Sequence, residues 1–205
     1  MSFSLNEVEA TARKAARGAG YSWGLAEEAG KATRWLCAQG LDGCASLAAL
    51  LQEPRHAIPQ LNPGIWSAPG VLCPLVTGAA LSDFAAQLTE GPIRIVDVAH
   101  PQLLLPFAAG TARQMGTVLT LACDDLVAHT DGAGVDLIRI PSPPGTSDVT
   151  VSMDGTMTGA LPKQTRATPD PAIWDVLTAF AARTYAPATD ASRRLGAGAG
   201  LSDND

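Results

Sequence analysis

Two groups of chemistry-bearing residues stand out in this 205-residue sequence, each following a β-branched run. Asp97 and His100 follow the run Ile93 to Val98, and Asp124, Asp125, His129 and Asp131 follow the run Thr117 to Ala122. Carboxylates grouped with imidazoles can hold a divalent metal or supply general acid and base groups. If the two runs are parallel neighbouring strands, both groups emerge at one edge of the sheet, where open sheets place ligand sites. The catalytic candidates are therefore Asp97, His100, Asp124 and His129. The plain alternative is a set of solvated loops, since Asp131-Gly132 is a turn dipeptide and Asp124-Asp125 can start a surface loop.

Two further stretches could touch a ligand. Gly20-Tyr21-Ser22-Trp23-Gly24 offers aromatic rings, Trp23 among them, at a helix start that could stack on a planar molecule or hold an anion. Against an anion, Glu27 and Glu28 sit close to that helix start, and the same aromatics could simply pack inward. At the C-terminus Arg193 and Arg194 can bind a carboxylate or phosphate. The glycine-alternating stretch beyond them, including Gly198, could close over a cleft, dock on a neighbour or fray.

Other chemistries lack their signatures. No glycine-rich loop follows a strand in the phosphate- or dinucleotide-binding pattern, and there is no G-x-S-x-G elbow. Whether a cofactor or a metal is bound stays open. His56, beside Arg55 in a proline-rich stretch, reads as a loop residue. Cys37, Cys44, Cys73 and Cys123 show no metal-site or redox-motif spacing and read as buried thiols of a reducing compartment.

The elements that would position these residues are legible from periodicity and caps. Ser4 and Glu7 form a capping box ahead of a helix from about Leu5 to Arg17. Ser22 caps a second helix in which Glu27 and Lys31 are spaced for an i,i+4 pair, and Asp42 caps a third through Leu51. From Gln52 to Gly70 the prolines and glycines argue against a regular element, yet Trp66 and its apolar neighbours require packing on the core. Val71 to Val76 reads as a short strand, followed by a helix with Ser82 and Asp83 near its start. Pro101 to Gln114 reads as a helix, and strands are expected at Ile93 to Val98, Thr117 to Ala122, Val135 to Ile140 and Val149 to Met153. Asp170 and Pro171 open a last helix that ends near Tyr185.

The expected fold is thus α+β: a helical N-terminal layer (1–52) packed on a mixed sheet of about four to five strands (71–153), with a C-terminal helix and tail (170–205), all one domain. Hydrophobic residues make up 46% and charged residues 17%, enough to build a core and too little charge for disorder. That thin charge also suggests apolar surface covered by a partner protein or, in a homodimer, by a second copy. A net charge of −6 argues against nucleic acid and anionic membranes as partners. No secretory leader or membrane span is evident, so the expected location is the cytoplasm.

Two blocks, Ser4 to Glu9 with Trp23 to Lys31, and Arg183 to Thr189 with Gly196 to Asp205, resemble the ends of a bacterial domain-of-unknown-function family of about this length. That resemblance implies no activity and no site residues. The expected function is a binding or accessory protein of small-molecule metabolism; the alternative is a small-molecule enzyme, such as a metal-assisted hydrolase, built on the Asp/His groups.

Overall fold

The computed structural model describes residues 1–54, 56–124, 126–139 and 145–185. Short β1 (Phe3–Ser4) leads into α1 (Leu5–Gly18), and Ser4 and Glu7 close the expected capping box. α2 (Trp23–Ala38) is capped by Ser22 and α3 (Gly43–Gln52) by Asp42, whose carboxylate accepts from the Ala45 N–H at 2.9 Å. Lys31 pairs with Glu28, one helical turn back at 2.8 Å, and not with Glu27 as its spacing suggested. The apolar stripe of α1, Val8, Ala12 and Ala15, is fully buried.

The next elements carry the first departures from expectation. The proline-rich stretch contains a hairpin, β2 (Gln60–Asn62) and β3 (Ile65–Ser67), turned by Pro63-Gly64 with Gly64 at φ +73°. Proline fixes the first turn position and glycine alone takes the second without strain, so the residues that argue against a regular element instead make its turn. Trp66 is buried there as expected, but its apolar neighbours Ile58 and Ile65 are exposed. Val71 to Val76 is not a strand: Leu72 makes isolated bridges to Ala57 and Val98, and the chain enters α4 (Pro74–Asp83) at the proline, a favoured first helical residue. Ser82 and Asp83 consequently end that helix rather than start it.

β4 (Ile93–Ala99) is followed by a 3-10 turn (Pro101–Leu104) and α5 (Leu105–Met115), then by β5 (Leu119–Cys123), β6 (Leu126–Thr130), β7 (Val135–Arg139) and β8 (Thr146–Ser152). β9 (Arg166–Ala167) pairs with β1, and α6 (Pro171–Ala182) starts at the Asp170 cap. The fold is α+β, with a main sheet of seven strands among the described residues rather than four or five, in the order β2-β3-β4-β8-β5-β6-β7. The surplus comes from the hairpin and from β6, whose His129 and flanking acids disguise a strand with alternating burial.

Registry explains why one sheet face is apolar. Ile93 faces Val151, Val151 faces Leu121 and Leu121 faces Ala128, a cross-strand row whose four members are all fully buried. β4 and β5 run in the same direction but are not neighbours, because β8 lies between them antiparallel to both. Their C-terminal ends therefore do reach one sheet edge, with the start of β8 beside them.

Candidate functional site

Asp97 and Asp124 share a cleft at that edge, an open space of about 610 Å³ also lined by Arg94 and Asp148. Asp97 lies in a bulge between Ile95 and Val98 and takes a left-handed backbone, φ 53°. Its N–H donates to Asp148 Oδ1 at 2.9 Å, and Arg94 donates to Asp148 Oδ2 at 2.7 Å. These two donors, Arg94 foremost, hold the Asp148 carboxyl below its ordinary range. The cleft thus pairs acids with a cation but contains neither His100 nor His129.

His129 lies on the opposite side of the sheet from the buried row, aligned with Thr120 and Asp136. Its Nδ1 is 2.7 Å from the Thr156 carbonyl oxygen. Asp136 accepts from the hydroxyl and N–H of Thr158 and from the Gly159 N–H, and these bonds hold its carboxyl low. Among the described residues no three His, Cys, Asp or Glu side chains are placed to hold a metal ion. Asp125, Arg193, Arg194 and Gly198 lie outside the described residues.

His100 goes elsewhere again. A second left-handed residue, φ 43°, it ends β4, where its N–H donates to the Gly145 carbonyl at 2.8 Å. Non-glycine residues held in this region cost on the order of 1–3 kcal/mol and persist where surrounding contacts over-determine them. The contact that does so is the imidazole Nε2, 2.9 Å from Glu53 Oε1, with the ring only 1% exposed.

Glu53, the C-terminal cap of α3, holds a second imidazole with its other oxygen: His56 Nε2 is 2.9 Å from Oε2. His56 is a loop residue, as read, but not a surface one: its side chain is 8% exposed. A carboxylate only accepts, so both rings donate Nε2–H to it. In the neutral ring this leaves Nδ1 as a bare acceptor, and among the described residues Nδ1 of both His56 and His100 is buried without a hydrogen-bond partner.

His56 also lines a pocket of about 380 Å³ together with Arg17, Tyr21, Ser22, Ile58 and Cys73. Its walls include the first turns of two helices: Ser22 and Leu25 of α2, and Cys73 and Val76 of α4. Neither first turn carries an acid. Glu27 and Glu28 stand beyond the first turn of α2, too far along to neutralise the positive end of its dipole. Arg17 adds a full positive charge, its Nη1 donating to the Tyr21 carbonyl at 2.8 Å and its guanidinium lying 4.9 Å from the centre of the Trp23 ring. Trp23, 66% exposed, covers Arg17 and does not line the pocket itself. The Tyr21 hydroxyl lies 3.6 Å from Cys73 Sγ.

Gly20, Tyr21 and Ser22, part of the stretch singled out as able to touch a ligand, form one wall of this pocket, but sequence reasoning missed His56, which comes from the proline-rich stretch, and the Glu53 carboxylate behind it. The available signal was Glu53 and His56, three residues apart immediately after a capped helix, with Cys73 starting another.

All the lining residues fall within one recognisable segment. Residues 3–94 match a family model. Its description is "Protein of unknown function (DUF3726)". The chain thus resembles a domain-of-unknown-function family over its N-terminal block, and the matched segment contains Glu53 and His56 while His100 lies just beyond it. No curated protein matches the chain. Among solved structures, a malate dehydrogenase from Entamoeba histolytica superposes with a TM-score of 0.44 and 11% identity, over 72% of this chain and 48% of that one. The chain thus spans about half the length of that enzyme. Among the described residues no helix is long and apolar enough to cross a membrane.

Proposed function

We propose that this chain is a small-molecule-binding protein and that its ligand occupies the pocket between α1, α2, the 56–58 segment and α4. The observation that carries this reading is His56, whose Nε2 is tied to Glu53 while its buried Nδ1 lacks a partner among the described residues, in the wall of a pocket of ligand-binding size. The ligand is a small anion that also bears an O–H or N–H donor. Its charge is met by Arg17 and the starts of α2 and α4, and its donor reaches Nδ1 once the pocket wall yields on binding, since that atom is buried beforehand.

The test compares hydroxy- and amino-carboxylates with the matching unsubstituted carboxylates in a thermal-shift titration. Preferential stabilisation by the donor-bearing probes, lost in His56→Ala and weakened in Arg17→Ala, supports the reading. Equal response to both sets, or the same response in His56→Ala, overturns it.

A second reading, an enzyme, is favoured by the same bond. An imidazole oriented by a carboxylate through one nitrogen and bare at the other is the arrangement of a general base, here in a pocket that also holds Tyr21 and Cys73. Turnover of a bound probe would select this reading; binding without turnover leaves the first. A homodimer belongs to the same proposal, supported by exposed Trp23 and by Ile58, 72% exposed at the pocket wall. A monomer mass in light scattering at micromolar concentration removes it.

A further inference from the structure

The sharp joint between α2 and α3 brings two thiols together. Gly40, at φ +79°, reverses the chain, the Leu41 N–H returns to the Leu36 carbonyl at 3.0 Å, and Asp42 caps α3. Gly43 then packs so closely on α2 that a Cβ there would lie 2.6 Å from the Thr33 carbonyl oxygen. Cys37 in the last turn of α2 and Cys44 in the first turn of α3 consequently place their sulfurs 3.9 Å apart.

The surroundings of the two sulfurs differ. Either sulfur can donate to the other, and the start of α3, with the backbone N–H groups of Gly43 and Cys44 beside Cys37, favours Cys37 as the acceptor of the Cys44 thiol. That thiol bond and these N–H groups together outweigh burial and the opposing Asp42 charge and favour the Cys37 thiolate. Cys44, which donates to Cys37 and is itself buried, is pushed the other way and keeps its proton. Both cysteines line a separate pocket of about 300 Å³, together with Leu41, Asp42, Gln164 and Arg166. Cys37 keeps 5% of its surface exposed, and this pocket is the side from which a small oxidant would approach it.

We infer that Cys37 and Cys44 form an oxidisable dithiol, with Cys37 as the attacking sulfur, Cys44 as the resolving sulfur and a small hydroperoxide as oxidant. The Cys37 thiolate attacks the terminal peroxide oxygen, the O–O bond breaks, and the departing oxygen takes up a proton as water or alcohol, leaving Cys37 as a sulfenic acid. The Cys44 sulfur then attacks the sulfenic sulfur. The S–O bond breaks, hydroxide leaves with the Cys44 proton as a second water, and a disulfide remains. Two thiols are oxidised and one peroxide is reduced. The sulfurs must close from 3.9 Å to about 2.05 Å, the length of a disulfide. The bond would lock the end of α2 to the start of α3.

The test treats the full chain with hydrogen peroxide, alkylates it under denaturing conditions and reads intact and peptide masses. The expected product has lost two hydrogens, carries a cross-linked peptide pair containing Cys37 and Cys44, and reverts with dithiothreitol. A Cys73→Ser/Cys123→Ser variant gives the same product. Cys44→Ser, with Cys44→Ala as its partner should serine disturb the core, stops at a sulfenic acid on Cys37 that dimedone traps. Cys37 should be oxidised about tenfold or more faster than the partly exposed Cys123, as a thiolate-biased sulfur must be. Oxidation at Cys73 or Cys123 first, over-oxidised Cys37 with no cross-link, or no reaction in protein whose four thiols titrate on unfolding would each overturn the inference.

Discussion

Replacing Glu53 by alanine tests whether one carboxylate holds the end of β4 and the 56–58 segment together. It removes the acceptor of two imidazole N–H groups, each bonded at 2.9 Å. A hydrogen bond to a charged group contributes about 1.5–3 kcal/mol, so two give an upper bound of about 3–6 kcal/mol. Glu53 keeps 40% of its side-chain surface in water, and water entering the vacated space can satisfy His56, whereas His100 at 1% exposure has no such replacement. The expected loss is therefore close to one full bond, about 2–3 kcal/mol. For a chain of this size each kcal/mol moves Tm by about 2–4 °C, so Glu53→Ala should melt about 4–12 °C lower. Glu53→Gln should recover about half of that, because its amide oxygen accepts from one ring while its NH₂ confronts the other ring's N–H. The assay is thermal unfolding followed by circular dichroism. A Glu53→Ala protein melting within about 2 °C of the parent would refute the account of Glu53 as the tie between the two imidazoles.

Other perturbations follow from the same geometry. Gly78→Ala would set a Cβ 2.2 Å from Phe107 Cδ2, where α4 crosses α5, and should cost about 1–3 kcal/mol in chemical denaturation. Asp42→Asn keeps a good helix cap but removes the charge that opposes the Cys37 thiolate, so peroxide oxidation of Cys37 at neutral pH should be faster, with stability little changed. Asp131, Asp136, Asp148 and Asp154 are all held below the ordinary 3.8 by hydrogen bonds made in the folded chain. A carboxyl lowered on folding stabilises above its unfolded pKa and loses that contribution as pH falls through the folded one. Denaturant midpoints should therefore show no loss from these four above pH about 5 and should fall steadily below pH about 4. The acid limb should shrink when Asp148 is replaced by asparagine.

The helices were legible because their signals are local. Ser4 with Glu7, Ser22, Asp42 and Asp170 each bond the backbone two or three residues on, and such caps can be read without knowing the fold. β6 was hidden because its alternate residues Val127 and His129 are only half-buried on the outer side, so His129 looked like loop chemistry when it is the outward side of a strand. The cleft shared by Asp97 and Asp124 could be anticipated from two strands running in one direction, but the insertion of β8 between them is a long-range pairing that neither strand's sequence encodes. The Glu53–His56–His100 cluster joins a helix cap, a loop and a left-handed strand end 47 residues away from Glu53. Only tertiary structure makes that sum, although the short spacing of Glu53 and His56 was visible all along.

The most direct measurement uses the chain's three histidines, labelled with ¹⁵N and assigned by single alanine replacements. Titration with a small hydroxy-carboxylate should shift the His56 ring signals saturably, with His56 in its Nε2–H form throughout and His129 unmoved on the far side of the sheet. A His56 ring that carries its proton on Nδ1, or that stays unmoved by donor-bearing and donor-free carboxylates alike, would contradict the pocket as the binding site.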